Sequence, residues 1–211
     1  MVGQCGMRTS PERKVLGIPT QDFIDFLIHA KKKGYAGEKE YNIDKITGEK
    51  VLSISGYFVS VNSKGYTFSY EDRYSGYFKA PGREIVSLTK IEEIGQPQNI
   101  HIPIWTMCYG FHPEDGMQDR FKSDQKMAHE VFTFLKQALS NPDKDRPLRG
   151  PKEFENGIWT YNFYPNGYID GFEGPESISC IDRKRKICGT LFKQHVSGGL
   201  IQHKDLEVKL V

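Results

Sequence analysis

The sequence predicts an α+β fold built as a tandem pseudo-symmetric repeat, in which each repeat is one helix plus a three- or four-stranded antiparallel sheet. Two observations predict it. Residues 70–86 read YEDRYSGYFKAPGREIV, and residues 161–178 repeat the pattern as YNFYPNGYIDGFEGPESI. One segment with helical periodicity precedes each stretch, and strand-like sequence surrounds it. Because each helix covers only one sheet face, the two repeats are predicted to face each other across a cleft.

The two stretches match at their tyrosines, glycines and glutamates. Both begin with Tyr, reach Gly six residues later and end in Gly-x-Glu-x-aliphatic. The equivalent pairs are Tyr70 and Tyr161, Gly76 and Gly167, Gly82 and Gly174, and Glu84 and Glu176. One residue inserted between the two glycines of the second stretch keeps the register. The repeats are therefore predicted to superpose at these positions.

An amphipathic helix is predicted ahead of each stretch. In the first, apolar residues recur at helical spacing after a Thr20 cap, and Gly34 supplies a left-handed stop. In the second, a similar apolar stripe follows a Ser123 cap, and Pro142 lies beyond the end. Antiparallel hairpins are predicted near Asn62 to Gly65 and at Asn156-Gly157.

These features divide the chain into five segments. They are a disordered or extended N-terminal tail (1–19), repeat 1 (20–110), a connection (111–123), repeat 2 (124–205) and a C-terminal tail (206–211). The N-terminal segment lacks the apolar core of a secretory signal, and no apolar run approaches the ~20 residues of a membrane helix. A cytoplasmic location without membrane contact is expected.

The charge is nearly balanced, with 29 basic and 27 acidic residues and a net charge of +2. This balance argues against direct nucleic-acid binding. Two local basic clusters are expected to be solvated. Lys31 to Lys33 fall in the last turn of the first helix, and Arg183 to Lys186 fall at a hairpin tip.

No metal and no cofactor are expected. The four cysteines form no C-x-x-C pair and have no close histidine, so reduced and mostly buried thiols are predicted. His101 and His112 flank the strand that contains Trp105 and are the histidines with a chance to meet in space. His129-Glu130 lacks the second histidine of a zinc-protease helix.

The motifs resemble a bacterial family of uncharacterised domains that occur alone or behind a helix-turn-helix in transcription regulators. The C-terminal half carries the resemblance through RPLRGPKEFENGIWTYNFYPNGYIDGFEGPESI followed by HVSGGLI, and the N-terminal half through YEDRYSGYF and PIWTMCYG. Its most distinctive motifs are RGP and His-x-x-Gly-Gly, and it covers about residues 20–205. The resemblance implies no established activity. It implies that a standalone copy is a ligand-sensing or interaction domain.

The predicted cleft between the repeats is the candidate site for a small-molecule ligand. Its expected lining residues are Tyr70, Glu84, Trp105, Tyr109, Arg149, Tyr161, Glu176 and His195. Aromatic walls with a few polar groups are typical of ligand pockets, and buried carboxylates need a partner. Two glutamates brought close together would also raise one carboxyl pKa.

Two other functions stay open at this level. One is an enzyme that uses Glu84, Glu176, Tyr109 or His195 as acid and base in the same cleft. The other is an interaction module that binds a protein partner, or a second copy of the chain, through its sheet edges. No phosphate loop or nucleophile motif is present in the sequence, so no reaction class is predicted.

Overall fold

Two long helices and a large antiparallel sheet dominate the computed structural model, which describes residues 13–35, 41–90 and 101–211. The helices are α1 (Thr20–Tyr35), α2 (Met117–Ser123) and α3 (Gln125–Leu139). The strands are β1 (Lys14–Ile18), β2 (Asn42–Ile43), β3 (Lys50–Val61), β4 (Lys64–Tyr74), β5 (Ala80–Lys90), β6 (His101–Pro113), β7 (Glu153–Asn156), β8 (Trp159–Phe163), β9 (Asn166–Tyr168), β10 (Gly171–Asp182), β11 (Ile187–Leu200) and β12 (Leu206–Leu210). The α+β class is confirmed. No helix in the described part of the chain is long and apolar enough to cross a membrane.

In the described part of the chain, the large sheet has ten strands in the order β2-β3-β4-β5-β6-β11-β10-β8-β7, with β9 paired to β10. All of its pairs are antiparallel. A separate parallel pair joins β1 to β12, so residues from both predicted tails pair with each other as strands.

The two halves of the sheet lie side by side. Strands β6 and β11 pair at the centre, so the first half runs β3-β4-β5-β6 and the second runs β7-β8-β10-β11. The prediction that two separate sheets pack face to face is therefore wrong, because β6 and β11 join the halves into one sheet. Main-chain hydrogen bonds between two strand edges unite the halves instead, because antiparallel pairing satisfies edge groups that two separate sheets would leave open.

Equivalent positions in the two halves have matching local geometry. Tyr70 lies opposite Val86 in one half, and Tyr161 lies opposite Ile178 in the other. The glycines at 76 and 167 have φ angles of 86° and 81°. An added Cβ at either glycine would lie 2.1 Å from a backbone oxygen, so only glycine fits both turns.

The helices pack their apolar stripes on the inner face of this sheet. The rings of Phe23 and Phe26 in α1 lie 5.9 and 4.9 Å from the ring of Phe68 in β4. Phe134 of α3 lies 6.2 Å from Trp159 in β8. Large aromatic side chains bury more apolar area than other residues, so these contacts supply much of the driving force that holds each helix on its half.

The predicted turns are confirmed, whereas two predicted helix ends are wrong. The two-residue loop of Asn62 and Ser63 has positive φ at both positions, as a tight hairpin requires. Asp124, not Ser123, caps α3, because its carboxylate accepts a hydrogen bond from the Met127 amide at 2.9 Å. Gly34 stays inside α1, where a Cβ would lie 2.6 Å from the Leu52 side chain. That glycine therefore lets the helix approach the sheet closely.

The expectations for cysteines and histidines also need correction. Among the described cysteines, Cys180 is buried, but Cys108 and Cys188 are exposed. His101 and His112 lie near opposite ends of β6, so an extended strand separates them and they cannot meet.

Candidate functional site

A network of buried charges lies between the helices and the sheet. Lys31 of α1 donates to Glu84 of β5 at 2.5 Å, and Arg149, which follows α3, donates to the other oxygen of Glu84 at 3.0 Å. Arg149 also donates to Glu176 of β10 at 3.4 Å. Each of the four side chains is at most 3% exposed. We call this set, Lys31, Glu84, Arg149 and Glu176, the buried ion network.

Strand and helix periodicity explains why these side chains point inward. Glu84 and Glu176 each precede a buried aliphatic residue of the same strand by two positions, so they share its face. Lys31 lies four residues after the buried Leu27, on the same stripe of α1. It is fully buried, so the prediction that Lys31 to Lys33 form a solvated turn is wrong for Lys31.

The RGP motif places Arg149 over Glu176. The amide of Gly150 donates to the hydroxyl of Tyr161 at 3.3 Å. A Cβ at position 150 would lie 2.6 Å from that hydroxyl oxygen, so only glycine allows this approach. The side-chain amide of Gln194, in the neighbouring strand β11, donates to the carboxylate of Glu176. These contacts fix the position at which Arg149 bridges the two halves of the sheet.

Ion pairing keeps Glu84 charged despite its burial. Burial alone would raise the pKa of Glu84, but the charges of Lys31 and Arg149 and the hydrogen bonds from Lys31 and Tyr35 hold that pKa below its ordinary value. The expectation that Glu84 and Glu176 raise a carboxyl pKa by mutual repulsion is therefore not met at Glu84. Burial lowers the pKa of Lys31.

A third buried carboxylate, Asp72 of β4, lies beside the buried ion network. Its oxygens accept hydrogen bonds from the hydroxyls of Tyr109 at 2.7 Å and Tyr41 at 2.8 Å, with Tyr35 at 3.4 Å. Burial, followed by the nearby charge of Glu84, raises the pKa of Asp72 to about 6. Asp72 is not among the site residues predicted from the sequence, although it is two residues beyond the buried Tyr70 and directly opposite Glu84.

A pocket of about 280 Å³ opens above Asp72, between α3 and strands β4 to β6. Its floor consists of Asp72, Tyr109 and Arg149, and the guanidinium carbon of Arg149 lies 4.3 Å from the centre of the Tyr109 ring. Its walls are largely apolar. They include Phe111, Phe132, Leu135 and Leu139. We call this cavity the Asp72 pocket.

The structure gathers most of the predicted site residues but places only some of them at the pocket. Tyr109 and Arg149 line it. Glu84 and Glu176 belong to the buried ion network, and Tyr70 and Tyr161 are buried near these carboxylates. The predicted residues therefore coincide with the buried ion network and its surroundings more than with the lining of the Asp72 pocket.

Two predicted site residues lie elsewhere. Trp105 is buried in the core, where its indole N–H donates to the Ile169 carbonyl at 2.9 Å and its ring stacks on Phe172. His195 is 60% exposed and lies 3.3 Å from Glu173. It points away from the pocket because its neighbours Gln194 and Val196 take the buried face of β11.

The fold and the site together define an α+β domain with an ion-paired core beneath a small pocket. Residues 72–201 match the family model described as a domain of unknown function, DUF5680. Because the match spans more than half of the chain, the protein belongs to this family. Searches of curated proteins and of solved structures found no match. The matched range contains Asp72, Glu84, Arg149 and Glu176, whereas Lys31 precedes it.

The pKa of Asp72 leads to a pH-dependent stability. The unfolded chain binds this proton with a pKa of about 3.9, whereas the folded chain binds it with a pKa of about 6. Protonation therefore stabilises the fold as pH falls through that value. Between about pH 7.5 and pH 5 the native chain should gain roughly 1 kcal/mol relative to Asp72→Asn, measured by urea unfolding. If the free energy of unfolding depends on pH in the same way for both proteins, the raised pKa does not belong to Asp72.

Proposed function

We propose that this protein is a small-molecule binding module and that the Asp72 pocket is its binding site. The observation that carries the proposal is an apolar-walled cavity whose floor consists of buried, hydrogen-bonded charged groups. Ligand pockets characteristically combine apolar walls with a few fixed polar groups that orient the ligand. At about 280 Å³, the volume suits a small compound.

The buried ion network supports this proposal by fixing the polar floor in advance. Arg149 is held by Glu84 and Glu176 and lies over the Tyr109 ring. A floor that is already ordered loses little conformational entropy when a ligand binds. The pocket is therefore suited to recognition without rearrangement of the core.

We also propose that the chain arose as a tandem duplication, with repeats at residues 20–110 and 124–205. The shared strand order and the matching positions of Tyr70 and Tyr161 support it. Under this proposal Arg149 contacts a glutamate from each repeat. From the sequence alone, we further propose that the protein is bacterial and cytoplasmic. We also propose that it acts as the sensing part of a transcription regulator.

An acid–base enzyme is the second candidate function. Asp72 faces the pocket, and its pKa of about 6 suits a group that exchanges protons near neutral pH. Consumption of a bound compound during incubation would favour this candidate. A protein-interaction role is the third candidate, and it gains support if no compound binds.

The binding proposal is tested by a thermal-shift screen of a metabolite library. A ligand at about one hundred times its dissociation constant should add about 2.7 kcal/mol of stability. Thr133→Trp introduces a bulky ring at an exposed pocket position of α3, and it should abolish the shift. The matched control is Lys126→Trp, because Lys126 is exposed on the same helix and does not line the pocket.

Two outcomes would contradict the location of the site. The first is a hit whose shift survives unchanged in Thr133→Trp. The second is a hit lost equally in Lys126→Trp, because a new tryptophan on α3 would then act without occupying the pocket.

A further inference from the structure

We infer that the Asp72 pocket takes a small organic cation, namely an amine with a compact apolar body whose ammonium group lies against Asp72. This inference rests on the proposed binding function and names its ligand class. Three features of the described residues lead to it: the balance of buried charge, the free acceptor position on Asp72, and the aromatic rings around that position.

The buried charges of the described residues leave Asp72 without a cationic partner. Lys31 pairs with Glu84, and Arg149 pairs with Glu84 and Glu176, so these two cations match the two glutamates in number. Asp72 forms no ion pair with any residue in the described part of the chain. A buried carboxylate without a counter-charge is costly unless a proton or a cation neutralises it.

The carboxylate of Asp72 retains room for one more donor on the pocket side. Its Oδ1 accepts from Tyr109, and its Oδ2 accepts from Tyr41 and, at longer range, Tyr35. A carboxylate oxygen accepts about two hydrogen bonds. Among the described residues Oδ1 therefore has an unused acceptor position, and an ammonium group can supply both a donor and a positive charge.

Aromatic rings surround this position. The tyrosines that line the pocket are Tyr35, Tyr41, Tyr74, Tyr77 and Tyr109. The faces of such rings attract cations. Two side-chain cations already lie over them, since the Lys50 ammonium is 5.2 Å from the Tyr74 ring centre and the Arg149 guanidinium is 4.3 Å from that of Tyr109. A carboxylate enclosed by tyrosines is the chemistry that recognises an amine.

The cations at the rim of the pocket do not cancel the preference of the Asp72 pocket for a cationic ligand. Lys136 and His129 are exposed, and Lys50 is half-buried. Solvent and salt screen such charges strongly. Around Asp72 itself the titratable groups are Lys31 from α1, Glu84 from β5, Tyr109 from β6 and Arg149 after α3, together with Tyr35, Tyr41, Tyr70 and Tyr74.

The test compares three probes that share one aromatic body: 2-phenylethylamine, 2-phenylethanol and phenylacetate. Isothermal titration at about pH 7.5 should show the amine binding at least about tenfold more tightly than the alcohol or the acid, since a charge-assisted contact is stronger than a neutral one. Lowering the pH to about 5 should weaken amine binding about tenfold, because Asp72 then becomes protonated. Asp72→Asn should remove the preference for the amine.

The pH series on the unmodified chain needs no variant, so it decides the inference even if Asp72→Asn folds poorly. Equal or tighter binding of the alcohol or the acid would overturn the cation inference, while the binding function would stand. Failure of all three probes would also overturn it. If the metabolite screen likewise yields no hit that Thr133→Trp blocks, the binding function itself fails.

Discussion

Replacement of Arg149 by methionine is expected to destabilise the fold by about 3–5 kcal/mol, the usual loss when one partner of a buried ion pair is removed. Arg149 is 3% exposed and contacts Glu84 and Glu176. Without it, the buried carboxylate of Glu176 has no cationic partner among the described residues. Urea unfolding at neutral pH, followed by tryptophan fluorescence, measures the loss.

The matched control is Arg183→Met, which removes an exposed arginine at the β10–β11 hairpin tip. It should change the stability by less than about 0.5 kcal/mol, as surface substitutions usually do. The double variant Arg149→Met with Glu176→Gln should lose less than the sum of the single losses, because the second change removes a charge that the first left unpaired. Equal losses for Arg149→Met and Arg183→Met would show that the buried ion network does not hold the halves together.

Local sequence patterns predicted the secondary structure and the inner face of the sheet well. Strand alternation acts between residues two positions apart, so the burial of Tyr66, Phe68 and Tyr70 follows from their spacing alone. Tight turns depend on two or three residues, which is why the Asn62 loop was predicted. Membership of a family of domains of unknown function was also expected from the sequence, and the family model matches residues 72–201.

Strand alternation also indicates the faces on which Asp72 and His195 lie. Asp72 shares the buried face of Tyr70, so a third inward carboxylate could have been identified from its position. His195 lies between Gln194 and Val196, and the apolar Val196 already indicated that His195 points outward. The strand face of a residue, as well as its chemical type, therefore decides whether its side chain can reach a buried site.

The remaining features depend on contacts between distant parts of the chain. No local pattern indicates that β6 pairs with β11, because each strand edge would satisfy several alternative partners equally well. The same holds for the cation that reaches Glu84. A lysine run at a helix end is usually solvated, and only the packing of α1 on the sheet turns Lys31 inward.

Lys31→Met should therefore destabilise the fold by about 3 kcal/mol, whereas the same change at its neighbour Lys32 should have almost no effect. Lys31 is fully buried against Glu84, and Lys32 is exposed on the same helical turn. Methionine fills a similar volume, so the difference reports the lost charge and not a cavity. Arg149 still pairs with Glu84, which keeps the expected loss at the lower end of the range for buried pairs.

The pH dependence of the same variant separates an ion pair from simple packing. With Lys31 present, the pKa of Glu84 lies below its ordinary value, so this carboxyl contributes stability at neutral pH that is lost as the solution is acidified through that value. Burial raises the pKa of Glu84, and in Lys31→Met one of the two cations that lower this pKa is missing. The pKa of Glu84 should therefore rise in the variant. The variant should then lose less stability than the native chain between neutral and acidic pH. A loss at Lys31 that is the same at every pH would mean that its alkyl chain, and not its charge, stabilises the fold.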